Sequence, residues 1–224
     1  LSGALAAPPV IGSCQVLPAD HIFNTRIDDL PVHAQSPAFL QTISTGTRRL
    51  HLDLGTSEDM TSSEYYGIPY NTVSGSSQAW QPVYYDGGWP DESDCADASH
   101  RLVRPCINPS GAALLPIPSS PKVEGGISGD RSVDGDHHIL VVDRDACILW
   151  ESYHSYTRVG GGWNILSSAA FDLRSNELRP ATWTSSDAAG FPILPLLLRA
   201  DEASSGEINH ALRFTIQSSK IRNS

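Results

Sequence analysis

The sequence predicts a mainly β domain, an antiparallel β-sandwich of jelly-roll-like form with long loops and a few short helices. The chain of 224 residues contains 18 glycines and 16 prolines, which divide it into short segments. Several segments alternate apolar and polar residues with the period of two that is typical of strands. The length suits one domain, which we expect at residues 14–224, after a proline-containing N-terminal arm at residues 1–13.

Two short helices are expected between the strands. The first begins near Ser36 with Pro37 at its first helical position, and it should end near Gly46. The second runs through residues 199–204 and should end at Gly206, because glycine readily adopts the backbone conformation that closes a helix.

The strands are most evident in the second half of the chain, since residues 57–121 are polar and predicted to be loop-like. Residues 163–173 and residues 208–216 both alternate, and each is predicted to be a strand. Residues 136–142 and residues 147–153 are predicted to pair as a hairpin across a short turn.

The hairpin also predicts a polar cluster. A two-residue turn at 144–145 places His138 opposite Glu151 and Asp136 opposite Tyr153, all on one face of the sheet. A histidine beside a carboxylate has a raised pKa and a defined orientation, which suits acid–base chemistry or ligand recognition. The alternative is a structural ion pair at the margin of the sheet.

Carboxylates in this cluster are the candidate catalytic residues. A glycoside hydrolase needs two of them, and Glu151, tuned by His138, is the first candidate. Glu124 or Asp136 is the second, and Glu124 precedes the bend expected at Gly125–Gly126.

Aromatic and polar side chains around these acids are the candidate sugar contacts. Aromatic rings stack on the apolar faces of sugars, and Tyr153 and Trp150 are placed to do so; the alternative is that such rings fill the core. His51 and Asp53 share one face of an extended segment and are added as substrate-binding candidates.

No cofactor is expected, except that the loop from Asp86 to Asp97 is a candidate calcium site. Five carboxylates crowd the loop from Asp86 to Asp97 without an adjacent basic residue, and their oxygens are of the type that binds calcium. The spacing is not that of an EF-hand, and the alternative is a solvated acidic loop. The cysteines have no zinc-binding spacing, so no metal ligands are assigned.

Charge and cysteines indicate the class of partner and the compartment. The net charge of −10 excludes the basic surface that nucleic-acid binding requires, and no apolar run is long enough to span a membrane. The first residues resemble the end of a secretory signal, which predicts a secreted protein. Four cysteines allow three pairings; we favour Cys95 with Cys106, which are close in sequence, and therefore Cys14 with Cys147.

Several stretches together resemble a family of secreted microbial proteins of unknown function. They are residues 14–20 (CQVLPAD), 50–55 (LHLDLG), 136–143 (DHHILVVD), 183–190 (WTSSDAAG) and 210–215 (HALRFT). The resemblance covers most of the chain but implies no established activity and no catalytic residue. It implies that a further strand-rich segment follows Thr215 in the family, and that residues 14–224 lack it.

Three functions remain open at this stage. The first is a secreted carbohydrate-active enzyme, most simply a glycoside hydrolase with paired carboxylates. The second is a non-catalytic carbohydrate-binding or cell-surface module, and in both cases the partner is a polysaccharide or other glycan. The third is a structural or assembly protein. The sequence makes no prediction of the oligomeric state.

Overall fold

The computed structural model describes residues 7–43, 59, 67–133 and 135–216. Its α-helices are α1 (Ser36–Ile43) and α2 (Ala200–Ser205), and short 3₁₀ helices lie at Pro90–Glu92 and Leu194–Leu196. The strands are β1 (Val10–Ile11), β2 (Cys14–Gln15), β3 (Tyr70–Val73), β4 (Gln81–Tyr84), β5 (Cys95–Ala96), β6 (Leu102–Val103), β7 (Leu114–Leu115), β8 (Ile139–Asp143), β9 (Ile148–Tyr153), β10 (Tyr156–Thr157), β11 (Trp163–Asn164) and β12 (Ser167–Asp172).

A four-stranded sheet of order β12-β9-β8-β3 forms the centre of the domain. Its β12–β9 and β9–β8 pairs are antiparallel, whereas β8 and β3 are parallel. A six-stranded sheet of order β10-β11-β4-β7-β5-β6 contains a second parallel pair, β11 with β4. The predicted mainly β single domain with few short helices is therefore confirmed, with mixed rather than wholly antiparallel sheets.

The central sheet is buried on both faces. Toward the six-stranded sheet it contributes Ile139, Val141 and Trp150 to one apolar core. Toward the N-terminal segment and the 3₁₀ helix at Leu194–Leu196 it contributes, among others, Leu140 and Leu149 to a second core. A strand buried on both faces is apolar throughout rather than alternating, which explains the uninterrupted apolar run in β8.

The β8–β9 hairpin has the predicted strands but not the predicted register. Leu140 lies opposite Glu151, so the pairing is shifted by two residues and the predicted pairing of His138 with Glu151 is wrong. The cause is the turn, which spans residues 144–147 and ends at Cys147 with a φ of 51°. A shift of two residues keeps every side chain on its predicted face, so His138 and Glu151 still share one.

Between residues 57 and 121, the prediction of a loop is wrong for the described part. This part contains β3 to β7, which have two to four residues each and are too short to show a period of two. Within residues 163–173 the predicted strand is present as two strands, β11 and β12.

The strand predicted at residues 208–216 is absent from the described structure. The Ala211 N–H donates to the Phe23 carbonyl, and the Arg213 N–H donates to the Leu196 carbonyl, so this segment bridges two different parts of the chain. Its apolar side chains Ile208, Leu212 and Phe214 are exposed, because the segment is bonded to a turn and to the 3₁₀ helix at Leu194–Leu196 rather than to a strand.

Both predicted helices are present. None of the residues of α1 is buried, and its predicted end near Gly46 lies outside the described residues. Helix α2 ends where expected, at Gly206, which has a φ of 74°. The Glu202 carboxylate accepts the N–H of Arg199 and so satisfies a donor at the start of this helix.

Both predicted disulfides are present. Cys14–Cys147 joins β2 to the turn of the β8–β9 hairpin, and Cys95–Cys106 closes a short loop after the 3₁₀ helix at Pro90–Glu92. None of the helices in the described ranges is long and apolar enough to cross a membrane.

Candidate functional site

A polar cluster lies where the β8–β9 hairpin ends, and we call it the His138 cluster: Glu124, Asp136, His138, Glu151 and Tyr153. The Nδ1 atom of His138 lies 2.6 Å from Oε2 of Glu124. The His138 N–H donates to the same oxygen, and the Glu124 N–H donates to the His138 carbonyl. Backbone and side chain together therefore hold Glu124 against the histidine.

The bend predicted after Glu124 is present. Gly125 and Gly126 have φ values of 71° and 88°, a region that side chains with a Cβ rarely enter. The bend turns the chain away immediately after Glu124 and leaves its carboxylate about one-fifth exposed.

His138 is surrounded by hydrogen-bond acceptors. Its Nε2 lies 3.0 Å from the Ser186 carbonyl, which only accepts, so this nitrogen carries a proton. Burial disfavours the charged ring, but the hydrogen bond and charge of Glu124 outweigh it and raise the pKa of His138. Burial likewise opposes ionisation of Glu124, yet the bond from His138 lowers the pKa of that carboxyl. The two residues therefore form an imidazolium–carboxylate pair with both ring nitrogens engaged.

Glu151 occupies a different environment on the same face. It is fully buried, and its carboxylate accepts the N–H groups of Ile193 and Leu194 at 2.9 Å. Burial raises the pKa of Glu151 to about 7, despite those bonds and the nearby charge of His138. Because Glu151 is fully buried, a ligand at the surface does not reach its carboxyl group in this conformation. The catalytic role of Glu151 therefore stays a prediction.

Ionisation of Glu151 should make stability fall as the pH rises. The pKa of Glu151 is about 7 in the folded protein against 4.5 for the reference group, so folding holds a proton that the unfolded chain releases. We expect the free energy of unfolding to fall by up to about 3 kcal/mol between pH 4.5 and pH 7 on this account. Glu151→Gln should remove this part of the pH dependence, as urea unfolding at both pH values would measure.

Leu149→Val is the matched control for that experiment. Leu149 lies on the same face of β9 and does not titrate, so its replacement should lower stability equally at both pH values. An unchanged pH dependence in the Glu151→Gln variant would contradict the assignment of the buried proton to Glu151.

A second ion pair adjoins the cluster and was missed by sequence reasoning. Both Nε and Nη2 of Arg213 lie 3.0 Å from Oδ2 of Asp187, and the charge of Arg213 also contributes to lowering the pKa of Glu124. Asp187 begins a turn, which the Gly190 N–H closes by donating to the Asp187 carbonyl. The pair joins residues 26 apart in sequence, and no local pattern signals it.

The outer side of the cluster is accessible to solvent. Asp136 is exposed, and the ring of Tyr153 is half-buried, with its centroid 5.5 Å from that of the His138 ring. The charge of Asp136 also helps to raise the pKa of His138, which places this carboxylate near the imidazole. Carboxylates and one aromatic ring therefore border a surface at the end of the hairpin.

The other predicted sugar contacts are not part of this surface. Trp150 is buried in the core between the two sheets, so the prediction that it contacts a ligand is not supported by its position. His51 and Asp53 lie outside the described residues.

The acidic loop from Asp86 to Asp97 has basic partners, contrary to expectation. Arg131 binds Asp86, Arg101 binds Asp97, and Arg104 and Arg179 both bind the buried Asp94; Glu92 accepts both the N–H and the hydroxyl of Thr184. The carboxylates are therefore directed at separate partners rather than at one centre. Among the described residues, no group of three or more side chains is arranged to hold a metal ion.

Two histidines next to the cluster are unusual. His137 is buried, and neither of its ring nitrogens has a hydrogen-bond partner among the described residues. His137 and His154 both pack against the ring of Tyr156, with centroids 4.5 and 4.7 Å away. Burial is the main reason that the pKa of His154 is lowered.

Comparison with known proteins adds no assignment. No protein-family model, curated protein or solved structure matches the chain. The resemblance to a secreted microbial family rests on the five motifs quoted above, between residues 14 and 215, and therefore stays a prediction.

Proposed function

We propose that this chain is a secreted carbohydrate-binding protein whose ligand contacts the exposed side of the His138 cluster. Glu124 carries the proposal, because its ionised carboxylate is held in place by His138 and one-fifth of its side chain is open to solvent. A carboxylate fixed in this way accepts sugar hydroxyls without first losing conformational freedom. The two disulfides support the oxidising compartment that secretion implies.

The chemistry of the surface favours a neutral sugar. Glu124, Asp136 and Asp187 all offer acceptor oxygens, and hydroxyl groups are the matching donors. Arg213 is already paired with Asp187, so the surface offers little to an anionic group. Tyr153 supplies an apolar ring face of the kind that packs against a pyranose.

Glycoside hydrolysis is the second candidate, and Glu151 is the observation that favours it. A general acid must be protonated near neutral pH, and a pKa of about 7 meets that requirement. Glu124, which is ionised, is the second carboxylate of the pair and acts as the base or the nucleophile. This mechanism additionally requires that residues 193–194 move away from Glu151 to admit the substrate.

The binding proposal is tested with a panel of soluble neutral polysaccharides: β-glucan, xylan, galactomannan and chitin oligomers. We expect retardation of the native protein by at least one of them in affinity electrophoresis. Glu124→Gln should weaken this binding about tenfold or more, because a hydrogen bond to a charged group contributes about 1.5–3 kcal/mol.

Glu177→Gln is the matched control, since it removes an exposed carboxylate that lies beyond the opposite end of β12. It should leave the affinity unchanged. Binding that is equally insensitive to Glu124→Gln would contradict the assigned surface, and release of reducing ends that Glu151→Gln abolishes would establish hydrolysis instead.

A further inference from the structure

Ser186 has an unused hydroxyl group beside the His138 cluster. The residue is buried, and its Oγ is the one buried hydroxyl oxygen in the described part of the chain that has no hydrogen-bond partner. The hydroxyl of the preceding residue shows the contrast, because Oγ of Ser185 donates to the carbonyls of Asp187 and Phe191 at 2.8 and 2.7 Å. Buried polar groups are normally bonded, so the unpartnered hydroxyl of Ser186 indicates a role other than holding the fold together.

The carbonyl of the same residue contacts the imidazole of His138. Glu124 lies 2.6 Å from Nδ1 of this ring, and the Ser186 carbonyl oxygen lies 3.0 Å from Nε2. A carboxylate, an imidazole and a serine therefore follow one another in the order that nucleophilic serine enzymes use, with the serine on the Nε2 side. Because the carbonyl oxygen and Oγ belong to one residue, a change in the torsion angles of Ser186 can exchange one for the other beside Nε2.

Loss of a proton from His138 favours this exchange. In the imidazolium form, Nδ1 donates to Glu124 and Nε2 donates to the Ser186 carbonyl. The neutral ring keeps one proton, which stays on Nδ1 because the ionised carboxylate of Glu124 is a stronger acceptor than a carbonyl. Nε2 then faces the carbonyl oxygen as a second acceptor and needs a donor. The unpartnered hydroxyl of Ser186 is that donor, and its proton is then placed for transfer to the imidazole.

We propose that Glu124, His138 and Ser186 form a catalytic triad that hydrolyses carboxylic esters. Oγ of Ser186 attacks the carbonyl carbon of the ester and gives its proton to Nε2 of His138, and the departing alcohol takes that proton as its bond to the acyl group breaks. Water then gives a proton to the same nitrogen and attacks the acyl-serine, which releases the carboxylic acid and restores the serine hydroxyl. The identity of the alcohol as a hydroxyl of a bound sugar rests on the proposed function.

The ester approaches through the turn that follows Ser186, at residues 187–190. Ala188 and Ala189 are exposed in this turn, and their N–H groups donate to none of the described residues. Free N–H groups of this kind stabilise the negative charge that develops on the carbonyl oxygen of an ester under attack. Because Oγ of Ser186 is buried, the turn has to move outward to admit the substrate.

Hydrolysis of p-nitrophenyl acetate by the full chain tests the triad, and release of acetate from acetylated xylan tests the sugar ester. We expect Ser186→Ala to lower both rates about a thousandfold or more, because the nucleophile is lost. The melting temperature should not change, because the hydroxyl has no partner to lose. The rate of the native protein should rise as the pH passes the pKa of His138, which lies above its ordinary value, since only the neutral ring accepts the proton.

Ser155→Ala is the matched control. Ser155 is also buried, but its hydroxyl lies 2.8 Å from that of Ser152, so its loss should lower the melting temperature by about 2–4 °C and leave hydrolysis unchanged. Diisopropyl fluorophosphate should phosphorylate Ser186 of the native protein with release of fluoride, as peptide mass mapping would show.

Hydrolysis that Ser186→Ala retains, or phosphorylation of a different residue, overturns the proposal. Polysaccharide binding without hydrolysis of either ester overturns the triad and leaves the proposed function intact. Hydrolysis of p-nitrophenyl acetate but not of acetylated xylan supports the triad and overturns the sugar ester.

Discussion

Replacing Cys14 and Cys147 by alanine should lower the free energy of unfolding by about 5 kcal/mol. The bond spans a sequence separation of 133 residues, and a cross-link over a long loop removes much conformational entropy from the unfolded chain. Cys14 is also buried in the core with Ile11 and Val16, so the bond holds the N-terminal segment against the central sheet. Denaturant unfolding of the double variant, followed by circular dichroism, measures the loss.

The second disulfide is the internal control for this prediction. Cys95 and Cys106 are separated by 11 residues, and the same entropic argument gives a loss of about 3 kcal/mol for their removal. A loss from the short bond that equals or exceeds the loss from Cys14–Cys147 would show that loop length does not govern the stabilisation.

Local patterns in the sequence account for much of the fold. The two strands of the hairpin, the two helices and the Cys95–Cys106 disulfide could be predicted because each depends on apolar runs, capping residues or spacings within a short stretch. The Cys14–Cys147 disulfide could be predicted only as the remaining pair of cysteines. Gly206 illustrates the point, since one residue type at one position ends α2. The strands β3 to β7 could not be predicted, because strands of two to four residues depend on their neighbours in the sheet for stability.

The geometry of the site could not be predicted, because it depends on the length of one turn and on contacts between residues that are far apart in the sequence. One hairpin turn of four rather than two residues moved Glu151 away from His138 and left Glu124 as the partner of the histidine. Glu124 and His138 are 14 residues apart, and Asp187 and Arg213 are 26 apart. Such pairs form only when the folded chain brings separate segments together, so residue types alone indicated the presence of acids but not their partners.

The ion pairs of Asp94 with Arg104 and Arg179 could not be predicted from the sequence either, and we expect them to contribute strongly to stability. Asp94 is completely buried, and its carboxylate binds Nε of Arg104 at 2.7 Å, Nη1 of Arg179 and the N–H of Ala170 at 2.8 Å. Arg179 is itself almost completely buried, and burial lowers the pKa of its guanidinium. The charges in this network are therefore balanced only while Asp94 is present.

Asp94→Ala should accordingly destabilise the protein by about 3–5 kcal/mol, because it leaves a buried guanidinium without its counter-charge. Asp86→Ala is the matched control from the same acidic loop: its carboxylate is 68% exposed and pairs with Arg131, so the loss should stay below about 1 kcal/mol. Urea unfolding of both variants at neutral pH makes the comparison. Equal losses would show that Asp94 is not the counter-charge for Arg179.

A double variant separates the lost charge balance from the lost packing. Arg179→Met replaces the guanidinium by an apolar side chain, so that Asp94→Ala with Arg179→Met no longer buries the guanidinium of Arg179 without a counter-charge. The carbonyls of Glu92 and Thr184 lose their donors from Arg179 in this variant, which limits the recovery. We expect the double variant to be more stable than Asp94→Ala alone. If it is less stable, hydrogen bonding by Arg179 to the two carbonyls, rather than its pairing with Asp94, holds this part of the structure together.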